Sequence, residues 1–142
     1  MRIIIINGPN LNLLGKREEN NYGCITLEEL EIKIKSAFDD IEFTFYQSNH
    51  EGELIDMIQR AGNFNGLILN PGGYAHTSVA IKDALEELKI FKIEVHLSHL
   101  AKREDYRQIL LTAQSCNGYI SGFKEKGYLA AVYLIKAFNK ED

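Results

Sequence analysis

The sequence predicts an α/β fold with a five-stranded parallel sheet, and three observations carry that reading. Five short apolar runs, rich in β-branched residues, recur at intervals of roughly 25 residues. Segments with the apolar period of a helix lie between them. The length of 142 residues, with 45% hydrophobic and 25% charged side chains, suits a single domain with its own core. Strands alternating with helices imply βαβ units with right-handed crossovers.

The elements follow in order. The strands are predicted at Ile3–Ile6, Ile41–Tyr46, Gly66–Leu69, Lys92–Leu97 and Gly118–Gly122. Each is too short for a helix, and the first and third are almost pure Ile and Leu, as befits strands covered on both faces. Asn7–Ile25 is the one long irregular segment, and such a loop in a compact domain is usually functional, often a lid. Thr26-Leu27-Glu28-Glu29 forms a capping box, after which Leu30, Ile34, Ala37 and Phe38 keep one apolar face. Glu51–Ala61 and Ser78–Leu88 are the next helices, Ser98–Ala113 is helical at least from Glu104, and Gly127–Phe138 closes the chain. With five strands and no sixth, a flavodoxin-like three-layer sandwich of strand order 2-1-3-4-5 is the expected topology.

Composition narrows the function classes. The net charge of −4 argues against a nucleic-acid binder, which usually carries a basic face or tail. Cys24 and Cys116 stand apart, in no CxxC pair and beside no His at ligand spacing, and read as two reduced thiols. The apolar start stops at Asn7-Gly8-Pro9, too short for a signal peptide or a membrane span, so cytoplasmic residence is expected.

Ligands of open α/β sheets bind outside the carboxyl ends of the strands. Those ends carry Asn7 to Asn10, then Gln47 to His50, then Asn70 to Gly73 with His76, Thr77 and Ser78, and finally His96, Leu97 and Ser98. Amides, hydroxyls and three of the four His therefore gather at one edge. Neither GxGxxG nor GxxxxGK[ST] is present, which removes dinucleotide and P-loop binding. Asn7 and Asn70 stand where a receiver domain needs acids, and Gly8–Gly15 lacks the hydroxyls of a flavodoxin phosphate loop. The edge holds too few acids for a catalytic metal, so none is expected. The remaining pocket suits a polyhydroxylated, anionic small molecule, with the backbone at Ser98 assisted by a helix N-terminus. Arg103 and Arg107 lie i, i+4 on the predicted helix; either could reach a carboxylate, although a solvated helix face is the plainer reading. Arg17 and Tyr22 share the long loop. A guanidinium favours a phenolate beside it, but on spacing alone a packing or lid role is the plainer reading of Tyr22.

Taken together, these residues resemble the type II 3-dehydroquinate dehydratases. The pieces are Ile6-Asn7-Gly8-Pro9-Asn10-Leu11-Asn12-Leu13-Leu14-Gly15-Lys16-Arg17-Glu18, Tyr22-Gly23, Gln47-Ser48-Asn49-His50-Glu51-Gly52, Leu69-Asn70-Pro71-Gly72-Gly73-Tyr74-Ala75-His76-Thr77-Ser78, Asp83-Ala84, Glu94-Val95-His96-Leu97-Ser98 and Arg103-Glu104-Asp105-Tyr106-Arg107, with Gly127-Tyr128 further on. Any one is weak; in this order and spacing they are specific.

The resemblance implies a flavodoxin-like fold and a hydro-lyase of the shikimate pathway that turns 3-dehydroquinate into 3-dehydroshikimate. It implies anti elimination through an enolate, without metal, cofactor or Schiff base. On this basis Tyr22 is the base at C2, Arg17 holds it ionised and belongs to the lid, and Asn10 positions a water at the enolate oxygen. His96 is the acid for the departing C1 hydroxyl, and Glu94 orients it. Asn70 and His76 bind ring hydroxyls, Leu97 and Ser98 bind the carboxylate, and Arg107 binds a hydroxyl. Asp83 reaches a neighbouring subunit's site in a dodecamer built from trimers. His50 and His99 remain surface residues. The sequence departs from the family's usual pattern at His99, where Asn is common, and across Gln108–Cys116. A shikimate-sensing binding module would not need the Arg17–Tyr22 pair, and a lyase with another substrate would not need Asn70, His76, Ser98 and Arg107 together.

Overall fold

Four consecutive isoleucines make β1 (Arg2–Asn7), and their alternation builds both cores of the molecule. In the computed structural model, which describes residues 1–140, Ile3 and Ile5 face one apolar cluster and Ile4 and Ile6 face the other. A strand covered on both faces belongs inside a parallel sheet, and β1 lies between β2 (Glu42–Gln47) and β3 (Gly66–Asn70). β4 (Phe91–His96) and β5 (Gly118–Ser121) complete the parallel sheet in the order 2-1-3-4-5.

The helices cover the two faces. α1 (Glu19–Tyr22) is a single turn in the loop after β1. α2 (Leu27–Ala37) and α5 (Lys126–Lys140) bury Leu30, Ile34, Ala131, Val132 and Ile135 against one face. α3 (Glu51–Gln59) and α4 (Val79–Glu87) bury Leu54, Ile58, Ile81 and Leu85 against the other. The capping box at α2 is formed in full: Glu29 N–H donates to Thr26 Oγ1 at 3.1 Å, and Thr26 N–H donates to Glu29 Oε2 at 3.2 Å. Ser78 caps α4 by accepting from Ile81 N–H at 2.9 Å.

Two expectations need correction. No α-helix forms between Ser98 and Ala113; three short 3-10 turns, Leu100–Lys102, Asp105–Gln108 and Thr112–Ser115, take its place. The backbone there is committed to tertiary partners, which withdraws it from an i to i−4 ladder. Leu111 N–H donates to Ala75 O at 2.8 Å, Ile109 O accepts from the His76 ring, and the Gln108 amide serves Leu100 O at 2.7 Å. The long loop is also less irregular than expected, since it holds a 3-10 turn at Leu11–Leu13 as well as α1. Leu11 and Leu14 are buried and tie its foot to the core.

Among the described residues, no helix is long and apolar enough to cross a membrane.

Candidate active site

The strand order reverses between β1 and β3, and their last residues, Asn7 and Asn70, pair across that point. Both side chains are buried, and α5 braces them from beneath. Tyr128, fully buried, donates its hydroxyl to Asn7 Oδ1 at 2.6 Å and accepts from Asn70 Nδ2 at 3.0 Å. Burial pushes the Tyr128 phenol well above its ordinary range, so it stays a neutral donor. Asn70 Oδ1 accepts from Gly72 N–H at 3.1 Å, leaving one Nδ2 hydrogen for a ligand.

The loops after β1 and β3 pack backbone to backbone. Gly8 N–H donates to Asn70 O at 2.7 Å, and a Cβ on Gly8 would lie 2.6 Å from Pro71 O. Gly72, at φ +59°, approaches Pro9 O in the same way. Asn10 turns the chain in the left-handed region at φ 71°, its N–H held by Asn49 Oδ1 at 3.0 Å.

Above this floor lies a small cleft of about 100 Å³, lined by Asn10, Arg17, Tyr22, Asn70, His96, Leu97, Ser98, Arg103 and Arg107, among others. Three guanidinium groups line it and no carboxylate does, which suits an anionic ligand.

Tyr22, at the end of α1, is held by two of those cations. The Arg17 guanidinium lies over its ring at 3.6 Å from the centroid. The hydroxyl contact comes from Arg103: Nη1 donates to Tyr22 Oη at 2.8 Å and to Ser98 Oγ at 3.2 Å. Arg17 therefore meets the ring face, and Arg103 meets the oxygen that the resemblance assigned to Arg17. Arg103 was a candidate for a carboxylate in the sequence, but its contact with Tyr22 was not foreseen, since no local motif marks its reach across the cleft.

His96 ends β4 and is buried. Its Nε2 lies 2.7 Å from Oε2 of Glu94, which is 0% exposed. Strand alternation alone would send residues 94 and 96 to the same side of the sheet, which is how the pair meets. Nδ1 is left as the ring nitrogen free to serve the cleft. The other Glu94 oxygen accepts from the Thr112 hydroxyl. His76 stacks beside His96 with ring centroids 6.1 Å apart. Its Nδ1 and Ile109 O are 2.7 Å apart, and its Nε2 is buried with no partner. Burial, and secondly the nearby His96 and Arg107, hold the His76 imidazole below its ordinary range, although the bond to Ile109 opposes this. A neutral ring donating from Nδ1 presents Nε2 as an acceptor.

The remaining expectations divide. Leu97 and Ser98 line the cleft, and their carbonyls are turned to Lys124 N–H at 3.0 Å and Ser121 Oγ at 2.8 Å. No helix N-terminus assists Ser98, since only a three-residue turn follows; the positive charge there is Arg103. Arg107 donates Nε–H to Glu104 at 2.8 Å while lining the cleft. The plainer solvated-face reading fails for both arginines. Asp83 is exposed on α4 and does not line this cleft. His50 and His99 are exposed. Among the described residues, no group of three or more His, Cys, Asp or Glu is placed to hold a metal ion.

A flavodoxin-like sheet whose carboxyl edge joins a tyrosine, a carboxylate-paired histidine and three arginines in one cleft defines an acid–base site for a small anion. The sequence matches Dehydroquinase class II over residues 1–136, and the chain belongs to that family. A 3-dehydroquinate dehydratase of Fusobacterium nucleatum is 49% identical, over 99% of this chain and 100% of the relative. Another, of Thermotoga petrophila, is 46% identical over 96% of this chain and 95% of its own. The crystal structure of a type II dehydroquinase from Butyrivibrio crossotus is 47% identical, with a TM-score of 0.93, covering 96% of this chain and 97% of that one.

Proposed function

We propose that this chain dehydrates 3-dehydroquinate to 3-dehydroshikimate, with Tyr22 as base and His96 as acid. The observation that carries the reading is the 2.8 Å bond from Arg103 to Tyr22 Oη in the cleft that also holds His96. A permanently charged donor at that oxygen stabilises negative charge on it, and a phenolate is the form that can remove a proton beside a ketone.

Loss of that proton places charge on the ketone oxygen. Asn10, through a water it orients, supports this enolate more than the ground state. His96 then gives its Nδ1 proton to the departing hydroxyl while Glu94 takes the Nε2 side, so two environments separate base from acid. Asn70 donates its remaining amide hydrogen to one ring hydroxyl, and the His76 Nε2 accepts from another. Ser98, with the backbone at Leu97 and Ser98, takes the carboxylate. Arg107 and Arg17 add positive charge around it. The chemistry asks for no metal or cofactor.

The same reading treats residues 1–142 as one catalytic domain, with 7–25 as a lid. Gly15 at φ +91° and Gly23 at φ +78° flank the stretch that carries Arg17 and Tyr22, and glycines at its two ends suit a segment that moves. We further propose a cytoplasmic enzyme that assembles as trimers within a dodecamer. Exposed Tyr106, Ile109, Tyr119 and Phe123 leave an apolar flank for a neighbour, and Asp83 on its outer helix is free to enter that neighbour's cleft.

The test is absorbance of the purified protein mixed with 3-dehydroquinate, read at the conjugated enone of the product. The parent protein develops the band, and Tyr22→Phe lowers kcat about a thousandfold with ligand binding retained. Parental turnover in Tyr22→Phe removes Tyr22 as the base, and no band in the parent protein removes the dehydratase reading.

A further inference from the structure

We propose that Thr112 is a positioning residue for the acid of this site, holding the Glu94 carboxylate oriented beneath His96. The inference rests on the dehydratase reading for its effect on turnover, but not for its geometry.

Glu94 is a carboxylate with no access to water, at 0% exposure, and Thr112 is likewise 0% exposed. A carboxylate in that position needs donors on both oxygens, because an unpaired buried charge is costly. His96 meets Oε2 and the Thr112 hydroxyl donates to Oε1. Thr112 opens the turn Thr112–Ser115. The turn is fixed on both sides. Leu111 N–H donates to Ala75 O at 2.8 Å, and the Cys116 thiol donates to Thr112 O at 3.7 Å. Three residues earlier, Ile109 O sets the His76 ring, so one segment orients both histidines of the site.

The other charged and titratable groups around the pair do not replace this hydroxyl. His76 faces His96 from the turn after β3. Arg103 and Arg107 line the cleft from the segment after β4, and Arg17 and Tyr22 line it from the lid. Beneath lies Cys116, whose thiol burial pushes up to about 12 and so keeps neutral. Lys92 Nζ is turned to the carbonyls of Leu85 and Leu88 at the end of α4. Tyr128 is engaged with Asn7 and Asn70.

The hydroxyl fixes the plane of the carboxylate, so that Oε2 keeps its place at His96 Nε2 and the ring keeps Nδ1 toward the cleft. In the proposed reaction His96 gives its Nδ1 proton to the leaving hydroxyl and keeps its Nε2–H on Glu94. Without the Thr112 donor the carboxylate is free to turn, and the ring loses the partner that aims Nδ1.

Thr112→Val removes the hydroxyl at nearly constant volume, and Thr112→Ser keeps it. The readouts are kcat and KM across pH, together with the NMR titration of the His96 ring in ligand-free protein. Thr112→Val lowers kcat about tenfold or more with KM little changed. It also changes the NMR titration of the His96 ring, because one oxygen of its carboxylate partner has lost its donor. Thr112→Ser restores both. Parental kcat and titration in Thr112→Val overturn the proposal, as does equal impairment of Val and Ser with an unmoved His96 titration, the signature of packing alone. If Thr112→Val does not fold, Thr112→Ala against Thr112→Ser is read by the same rule. A titration that moves in Thr112→Val while no form of the protein dehydrates 3-dehydroquinate supports the positioning role and refutes the dehydratase reading.

Discussion

Arg103 gives one guanidinium nitrogen to two acceptors, Tyr22 Oη and Ser98 Oγ, and so links the proposed base to the proposed carboxylate subsite. Arg17, by contrast, covers the ring of Tyr22, a contact that orients the side chain and adds charge nearby. The two arginines therefore predict different kinetics. Arg103→Met lowers kcat about a hundredfold and raises KM as well, because charge at the oxygen and order at Ser98 are lost together. An Arg103→Met enzyme with parental kcat would leave the phenolate supported by Arg17 alone. At this scale the sequence was informative wherever a side chain sits at the end of a strand: Asn10, Asn70, His96 and Ser98 all reach the cleft that periodicity and topology assign them. The roles of Thr112 and Tyr128 were not legible, nor was the contact of Arg103 with Tyr22. Each acts across a tertiary contact from 58 residues in sequence, for Tyr128 and Asn70, or 81, for Arg103 and Tyr22, down to 18, for Thr112 and Glu94. Tyr128 also stands on the apolar face of a helix, where core packing is the ordinary explanation.

The elements owe their positions to apolar alternation on β1 and β3, and the site owes its precision to the loops that leave them. Gly72 shows the second point. At φ +59° an L side chain is strained, and its Cβ would press on Pro9 O at 2.9 Å. Gly72→Ala is expected to cost about 1–2 kcal/mol of stability in urea unfolding and to lower kcat by displacing Asn10. Gly73→Ala next to it meets open space and should leave stability within about 0.5 kcal/mol. Equal effects of the two would show that the contact between the loops is slack. Strand and helix existence were legible because their periods are strong, and the Thr26–Glu29 capping box was legible because it is local. The segment after β4 misled for a physical reason. Ile109, Leu110 and Leu111 look like helix or core, but backbone groups of Ile109 and Leu111 bind the loop that carries His76, and turns result.

At the scale of the whole molecule, five strands bring residues from across the sequence to one edge, with positive charge lining the cleft while the chain as a whole carries −4. Attraction is thereby local to the site, and an anionic substrate is drawn to the arginines and not to the surface at large. The proposed assembly is checked by light scattering, which should give the mass of twelve chains; a monomer at working concentration would leave Asp83 without a site to enter. The central claim is that Tyr22 and His96 carry out an anti elimination, and deuterium tests it most directly. The protein is mixed with 3-dehydroquinate deuterated stereospecifically at C2, and the product is read by NMR. The account predicts that deuterium anti to the C1 hydroxyl is lost and deuterium syn to it is kept. Loss of the syn deuterium would contradict it, since base and acid would then act on one face of the ring.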